Sequence, residues 1–145
     1  MVRWLAVAVV ALVVVAQLVP VERTNPPVTA AALAAPPDVQ DILGRACADC
    51  HSHETVWPWY AAFAPVSWLL AHDVEEGREH LNLSTWHHLK PRKRRKALEE
   101  IVEMVEEEEM PLWYYLPLHA EARLTTAERA RLLAWANEEL ARGDG

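Results

Sequence analysis

Residues 47–51 read Cys47-Ala48-Asp49-Cys50-His51. Two thiols three positions apart, with an imidazole next in sequence, form the attachment signature of c-type haem. The spacing has a physical reason. At a helix end, cysteines three apart project toward one edge of a porphyrin, and each thiol can add to one vinyl group. The following histidine then turns under the ring and offers a nitrogen to iron. A redox dithiol of the thioredoxin type wants a strand before the motif, whereas a helical pattern precedes this one. A structural zinc site needs four ligands, and there is no second cysteine pair. His53, His72 or His80 leave that alternative open, as does a simple Cys47–Cys50 disulfide. Covalent haem, one per chain, is the reading the motif carries best.

Such a cofactor needs a domain around it. The chain has 145 residues, of which 52% are hydrophobic, enough for one domain with a real core. Only four glycines are present, and β-branched runs are scarce after residue 28. A β-sandwich or a phosphate-cradling glycine loop is therefore excluded in favour of an all-α fold. Acids outnumber bases 21 to 14, for a formal charge of −7. That excludes nucleic acid, whose binding is led by Lys and Arg.

The N-terminus reads as a membrane signal. Arg3 precedes an apolar run from Trp4 to Ala16, and Gln17 interrupts it before Leu18-Val19-Pro20-Val21. As one helix, Trp4–Val21 would reach roughly 27 Å, just enough to span a hydrocarbon core. An uncleaved anchor over residues 1–21 is the first reading. A cleaved signal peptide is the second, with a site at Ala16 or in the small-residue stretch from Thr29 to Ala35, and a buried core helix is the third. Arg3 favours a cytoplasmic N-terminus. The expectation is therefore a bacterial inner-membrane protein with its haem domain in the periplasm, or exported if the segment is cleaved. Residues 22–37, with Asn25-Pro26-Pro27 and Pro36-Pro37, read as a linker holding the domain (38–145) off the membrane.

Four helices follow in the pattern. Val39, Ile42, Leu43 and Ala46 recur at one-face spacing after Asp38 and lead straight into Cys47. A second helix is predicted over Val66 to Glu79, with Trp68, Leu69 and His72 on one side and Gly77 weakening its end. A third runs from Pro91, a residue suited to a first turn, to Glu108. Its cations come first and its glutamates last, against the helix dipole. The last helix is announced by Thr125-Thr126-Ala127-Glu128, a capping box. Leu132, Leu133, Trp135, Ala136 and Leu140 form its stripe, and Gly143 can end it.

Beyond these patterns, several short motifs stand in a distinctive order. They are Asn25-Pro26-Pro27-Val28, Cys47 to Ser52, Trp57-Pro58-Trp59-Tyr60 and Ala64-Pro65-Val66-Ser67-Trp68. His72-Asp73-Val74, Gly77-Arg78, Leu81 to Trp86, Met110 to Tyr115 and His119 follow. Over residues 22 to 138 the chain resembles the small bacterial haem-binding domain family, which has a single Cys-x-x-Cys-His motif and is similar to monohaem c-type cytochromes. The resemblance implies a cytochrome c-like helical domain around one haem, with its first and last helices crossing. One departure is clear: a glycine is expected shortly before Met110-Pro111, and Glu106 to Glu109 stand there instead.

Residue roles follow. Cys47 and Cys50 are the expected thioether donors and His51 the proximal iron ligand. Met110, after a helix and before Pro111, lies on an extended segment that can cross the far face of the haem, and it also holds the matching position in the resembled family. It is the expected sixth ligand, with His72 as runner-up and an open or water-filled position as the remaining case. Met104 reads as core filler. Trp57, Trp59, Tyr60, Trp68 and Trp113 are candidates for the haem pocket wall, or plain core, and Tyr114 and Tyr115 invite the same judgement. His53 reads as a surface or propionate contact, His80, His87 and His88 as exposed, and His119 as a structural hydrogen bonder.

The function these residues point to is a membrane-anchored periplasmic one-electron carrier rather than an enzyme. No nucleophile–base pair has supporting context, and a peroxidase-like site would want a distal Arg–His pair. Its redox partner is unidentified, with a basic one suited to the acidic exterior. The cytochrome c maturation machinery would attach the haem. The alternative is a haem-based gas or redox sensor, or ligand-binding module, with a displaceable sixth ligand.

Overall fold

The computed structural model describes residues 2–28 and 33–143. Six α-helices account for its regular structure: α1 (Val2–Ala16), α2 (Pro37–Ala46), α3 (Ala48–His51), α4 (Val66–His80), α5 (Pro91–Glu106) and α6 (Thr126–Arg142). Short 3₁₀ turns lie at Trp59–Ala62, Leu83–His88 and Ala120–Ala122. The described residues contain no strand, so the all-α expectation holds.

The core forms where the apolar stripes of α2, α5 and α6 meet. Val39, Ile42 and Leu43 of α2 join Leu98, Ile101 and Val105 of α5 and Leu132, Trp135 and Ala136 of α6 in one buried cluster. α6 packs along α5 and touches α2, so the first helix of the domain does meet the last. Local signals set the ends of α6. Thr125 Oγ1 accepts the Glu128 N–H at 3.2 Å, and the Glu128 carboxylate accepts the Thr125 N–H at 2.8 Å. Gly143 closes the helix at φ +73°, a left-handed conformation that glycine adopts without strain. Arg45 ties α2 to this end of α6 through the Glu128 carboxylate and the Glu121 carbonyl.

α5 explains the missing glycine. The helix ends at Glu106, and Glu108 takes φ +60°. The Glu109 N–H then donates to the Met104 carbonyl at 3.0 Å, the long reverse bond of a Schellman cap. A glutamate thus occupies the left-handed position that glycine usually fills.

The N-terminus differs from expectation in two ways. The apolar run is helical only to Ala16, 15 residues, or about 22 Å, short of the roughly 30 Å of a bilayer core. Among the described residues no helix is long and apolar enough to cross a membrane. The physical reason lies at Gln17. Its amide returns to the Val13 carbonyl at 3.0 Å and pairs with the Ala64 backbone, accepting its N–H at 3.0 Å and donating to its carbonyl at 3.2 Å. Pro20 then prevents regular continuation.

The segment expected as a spacer is also docked. Arg23 donates to the Ala61 carbonyl at 3.0 Å, Asn25 Nδ2 donates to the Thr55 carbonyl at 2.9 Å, and Leu33 is buried. Of the proposed cleavage stretch, residues 29–32 lie outside the described residues.

Candidate functional site

The site grows from the junction of α2 and α3. Cys47 caps α2, its N–H donating to Leu43 O at 3.0 Å. Its own carbonyl starts α3, accepting the N–H of Cys50 at 3.2 Å and of His51 at 2.9 Å. One helical turn therefore brings both thiols and the imidazole together. Ser52, buried, ends the turn: its Oγ donates to Ala48 O at 2.7 Å and accepts the Glu54 N–H at 2.9 Å. Both thiols are free. Burial pushes each up to about 12, with Asp73 and Asp49 adding to the effect at Cys50.

α4 crosses this turn at very short range. A Cβ on Gly77 would lie 2.8 Å from the Cys50 carbonyl oxygen. Because the helices come so close, His51 Nδ1 reaches the carbonyl of Gly77 in the last turn of α4 at 2.7 Å and that of its C-cap Leu81 at 3.1 Å. A carbonyl only accepts, so Nδ1 carries the proton and donates, leaving Nε2 with a free lone pair. Burial holds the imidazole below its ordinary value, against those two hydrogen bonds, which act the other way. A neutral imidazole oriented through one nitrogen and open at the other is the form that ligates metal.

A cavity of about 340 Å³ opens beside this triad, within the range of about 300–1,000 Å³ usual for small-molecule and cofactor sites. Leu43, Ala46, Cys47, Cys50 and His51 form one side, and Gly77, His80 and Leu81 another. Ile101, Met104, Val105 and Leu132 make the floor, and Met110, Leu112, Tyr114 and Tyr115 close it. The lining is mostly apolar, with Asp73, Glu76 and Glu100 among the few charged groups. Two thiols, one oriented imidazole and an apolar slot fit a porphyrin.

Two tyrosines anchor the closing segment. Tyr115 Oη donates to Asp49 at 2.7 Å and Tyr114 Oη to Asp73 at 3.1 Å. Burial leads in raising both phenols, Tyr114 to about 12, with the carboxylate partner adding to each. His119 stacks flat on Tyr115 at 3.8 Å, and its Nε2 lies 2.6 Å from Tyr60 Oη.

The sequence-predicted residues separate into two groups. Cys47, Cys50, His51 and Met110 come together at the cavity, and Met104, expected as core filler, joins them. The aromatic candidates lie elsewhere. Trp57, Trp59, Tyr60, Trp68 and Trp113 do not line the cavity. Trp59 and Trp113 are 78% and 80% exposed. Trp57 and Trp68 face a separate surface cleft. Tyr60 contacts His119, which stacks on the cavity-lining Tyr115. His72 also lies apart from the cavity. It is exposed, lines that other cleft and lies near Glu76 at 3.5 Å, because α4 turns Asp73, Glu76, Gly77 and His80 to the cavity instead. Zinc finds no support, since no cluster of three or more His, Cys, Asp or Glu able to hold a metal exists among the described residues.

Sequence reasoning missed why Gly77-Arg78 matters. Arg78 Nε donates to Ser52 O at 2.7 Å, and the same guanidinium reaches Thr55 Oγ1 at 2.9 Å, Thr24 O at 2.9 Å and Asn25 Oδ1 at 3.0 Å. The Asn25, Ser52 and Gly77-Arg78 motifs are thus one physical cluster around the exit of the Cys-x-x-Cys-His turn. His53 is held beside it, its Nε2 2.9 Å from Asn82 Nδ2.

No curated protein and no solved structure matches the chain. A family profile described as a haem-binding domain matches residues 11–138. That match takes in every element from the second half of α1 into α6, and with it the chain belongs to the haem-binding domain family.

Proposed function

We propose that the protein binds one haem c and works as a one-electron carrier on the outer side of the cytoplasmic membrane. Cys47 and Cys50 would hold the porphyrin through thioethers, and His51 Nε2 would ligate iron. Met110 would serve as the second protein ligand. Bound haem iron supplies a reversible change between ferrous and ferric states. The chain's own residues do the rest. Gly77 O and Leu81 O fix the His51 tautomer, and Ile101, Val105 and Leu132 keep water from the ring. Tyr114 and Tyr115 hold the Met110 segment in place.

The observation that carries the reading is the 2.7 Å hydrogen bond from His51 Nδ1 to Gly77 O, which leaves Nε2 as a preset ligand. Met110 is preferred over Met104 because it lies outside α5 and can approach the iron without moving that helix. Export is the companion expectation, since haem c is attached outside the cytoplasm, and the apolar α1 fits an export segment. Asp73, Glu76 and Glu100 around the cavity, with the net charge of −7, favour a basic redox partner.

The test is production alongside the cytochrome c maturation machinery. Denatured protein should carry one haem that survives acid–acetone extraction. Haem that extracts freely removes the covalent assignment. Adding CO to the reduced protein separates the classes: resistance supports the carrier, and rapid stoichiometric binding supports a sensor with a displaceable sixth ligand.

A further inference from the structure

The residues that fail to wall the cavity form a surface of their own. From Thr55 to Ala71, seventeen consecutive residues carry no charge, in a chain whose charged fraction is 24%. Within this run α4 begins inside-out. Ser67 is buried, while Val66, Trp68 and Leu69 of the same turns are exposed, Leu69 at 46%. The exposed Phe63 precedes them, its carbonyl accepting the Ser67 N–H at 2.9 Å. Its ring meets the exposed Trp59 ring edge-on at 6.2 Å. A helix start that hides a serine and presents large apolar groups is matched to an apolar surrounding on its outer side.

The neighbouring element identifies that surrounding. α1 has no buried residue, and Arg3 is its one charged group. The foot of α1 is fastened to this same surface by the paired hydrogen bonds between the Gln17 amide and the Ala64 backbone. A 15-residue apolar helix with no buried residue is matched to lipid, and Trp59 and Phe63 lie next to the Ala64 backbone that holds its foot. Tryptophan prefers the membrane–water boundary, where an apolar ring and a polar N–H are both accommodated.

We propose that the surface of Trp59, Phe63, Val66 and Leu69 lies in the headgroup region of a lipid bilayer beside α1, seating the domain on the membrane face rather than leaving it on a loose tether. Because the run is uncharged, the contact depends on apolar area and not on lipid charge.

The test uses the full-length protein with phosphatidylcholine vesicles, with and without phosphatidylglycerol. It reads lipid contact and is independent of the haem assignment. Amide exchange across 59–70 is expected to slow about tenfold on vesicle binding. The triple variant W59S/F63S/L69S, altered only at exposed positions, is expected to partition about tenfold or more weakly at unchanged helix content. The defect should be equal for both lipid compositions. Protection confined to α1, or wild-type partitioning of the triple variant, overturns the proposal. So does a concentration-dependent dimer that protects 59–70 in vesicle-free buffer, which would assign the surface to a second copy.

Discussion

Gly77 and the Cys50 carbonyl are separated by so little that a single methyl group on Gly77 would stand 2.8 Å from that oxygen. Backbone is what it would strike, so relief requires moving α4 itself. Elsewhere in a helix, Gly→Ala stabilises by about 1 kcal/mol. Here overpacking opposes that gain, and Gly77→Ala should destabilise by a net ~1–2 kcal/mol. It should also lengthen the His51 Nδ1 contact and lower haem incorporation. Urea denaturation and the haem-to-protein ratio check this, and a more stable variant with full haem loading would contradict it.

Met104 and Met110 both line the cavity, so their exchange for alanine discriminates the ligand. Met110→Ala should abolish the methionine–iron charge-transfer absorption of the oxidised protein, lower the reduction potential and admit CO. Met104→Ala should cost about 2–5 kcal/mol of stability if its side chain is packed as in a core and leave the absorption in place. The reverse pattern would move the ligand to α5.

Glu108 holds a left-handed backbone conformation at φ +60°, which costs a non-glycine residue about 1–2 kcal/mol. Its exposed carboxylate lies 3.7 Å from Arg129, a solvent-screened ion pair that contributes about 0–1 kcal/mol. Glu108→Gly should therefore raise stability by ~1 kcal/mol, seen as a higher urea midpoint at an unchanged slope. A loss would mean that the ion pair outweighs the backbone term.

Glu128 gives an acid-side prediction. The Thr125 backbone and hydroxyl, then Arg45, hold its carboxyl below the ordinary 4.5. A group depressed in the folded state contributes stability above its unfolded value and loses it as pH falls through the folded one. Stability from the capping box should be intact near neutrality and decline below about pH 4.5. Glu128→Gln should remove that part of the acid dependence, measured as the change in urea midpoint between pH 7 and pH 3.

Local chemistry was legible in the residues. The Thr125–Glu128 box, Pro91 in a first turn and the Cys47–His51 turn depend on neighbours in sequence, and each forms as its pattern predicts. The left-handed Glu108 shows the opposite case: the cap is geometric, and no glycine marks it. α4 misled for a definable reason. Trp68, Leu69 and His72 make its apolar stripe, and an apolar stripe ordinarily faces inward. In this helix Ser67, Val74 and Gly77 are the buried residues, and at Gly77 the Cys50 backbone leaves no room for a Cβ. His72 and Trp68 therefore lie on the side of α4 away from the cavity. The N-terminal run misled because hydropathy counts apolar residues, whereas a span needs helix, and Gln17 and Pro20 end the helix early.

Arg78 also limits where the chain can be processed. Its guanidinium grips Thr24 and Asn25 on one side and Ser52 and Thr55 on the other. A peptidase acting at Ala16 leaves both of its N-terminal partners on the mature chain. One acting at or beyond Thr29 removes them, turns two exposed guanidinium contacts over to water and uncovers the loop that leaves the Cys47–His51 turn. Proteolytic maturation that keeps all four of these bonds is one that cuts upstream of Thr24.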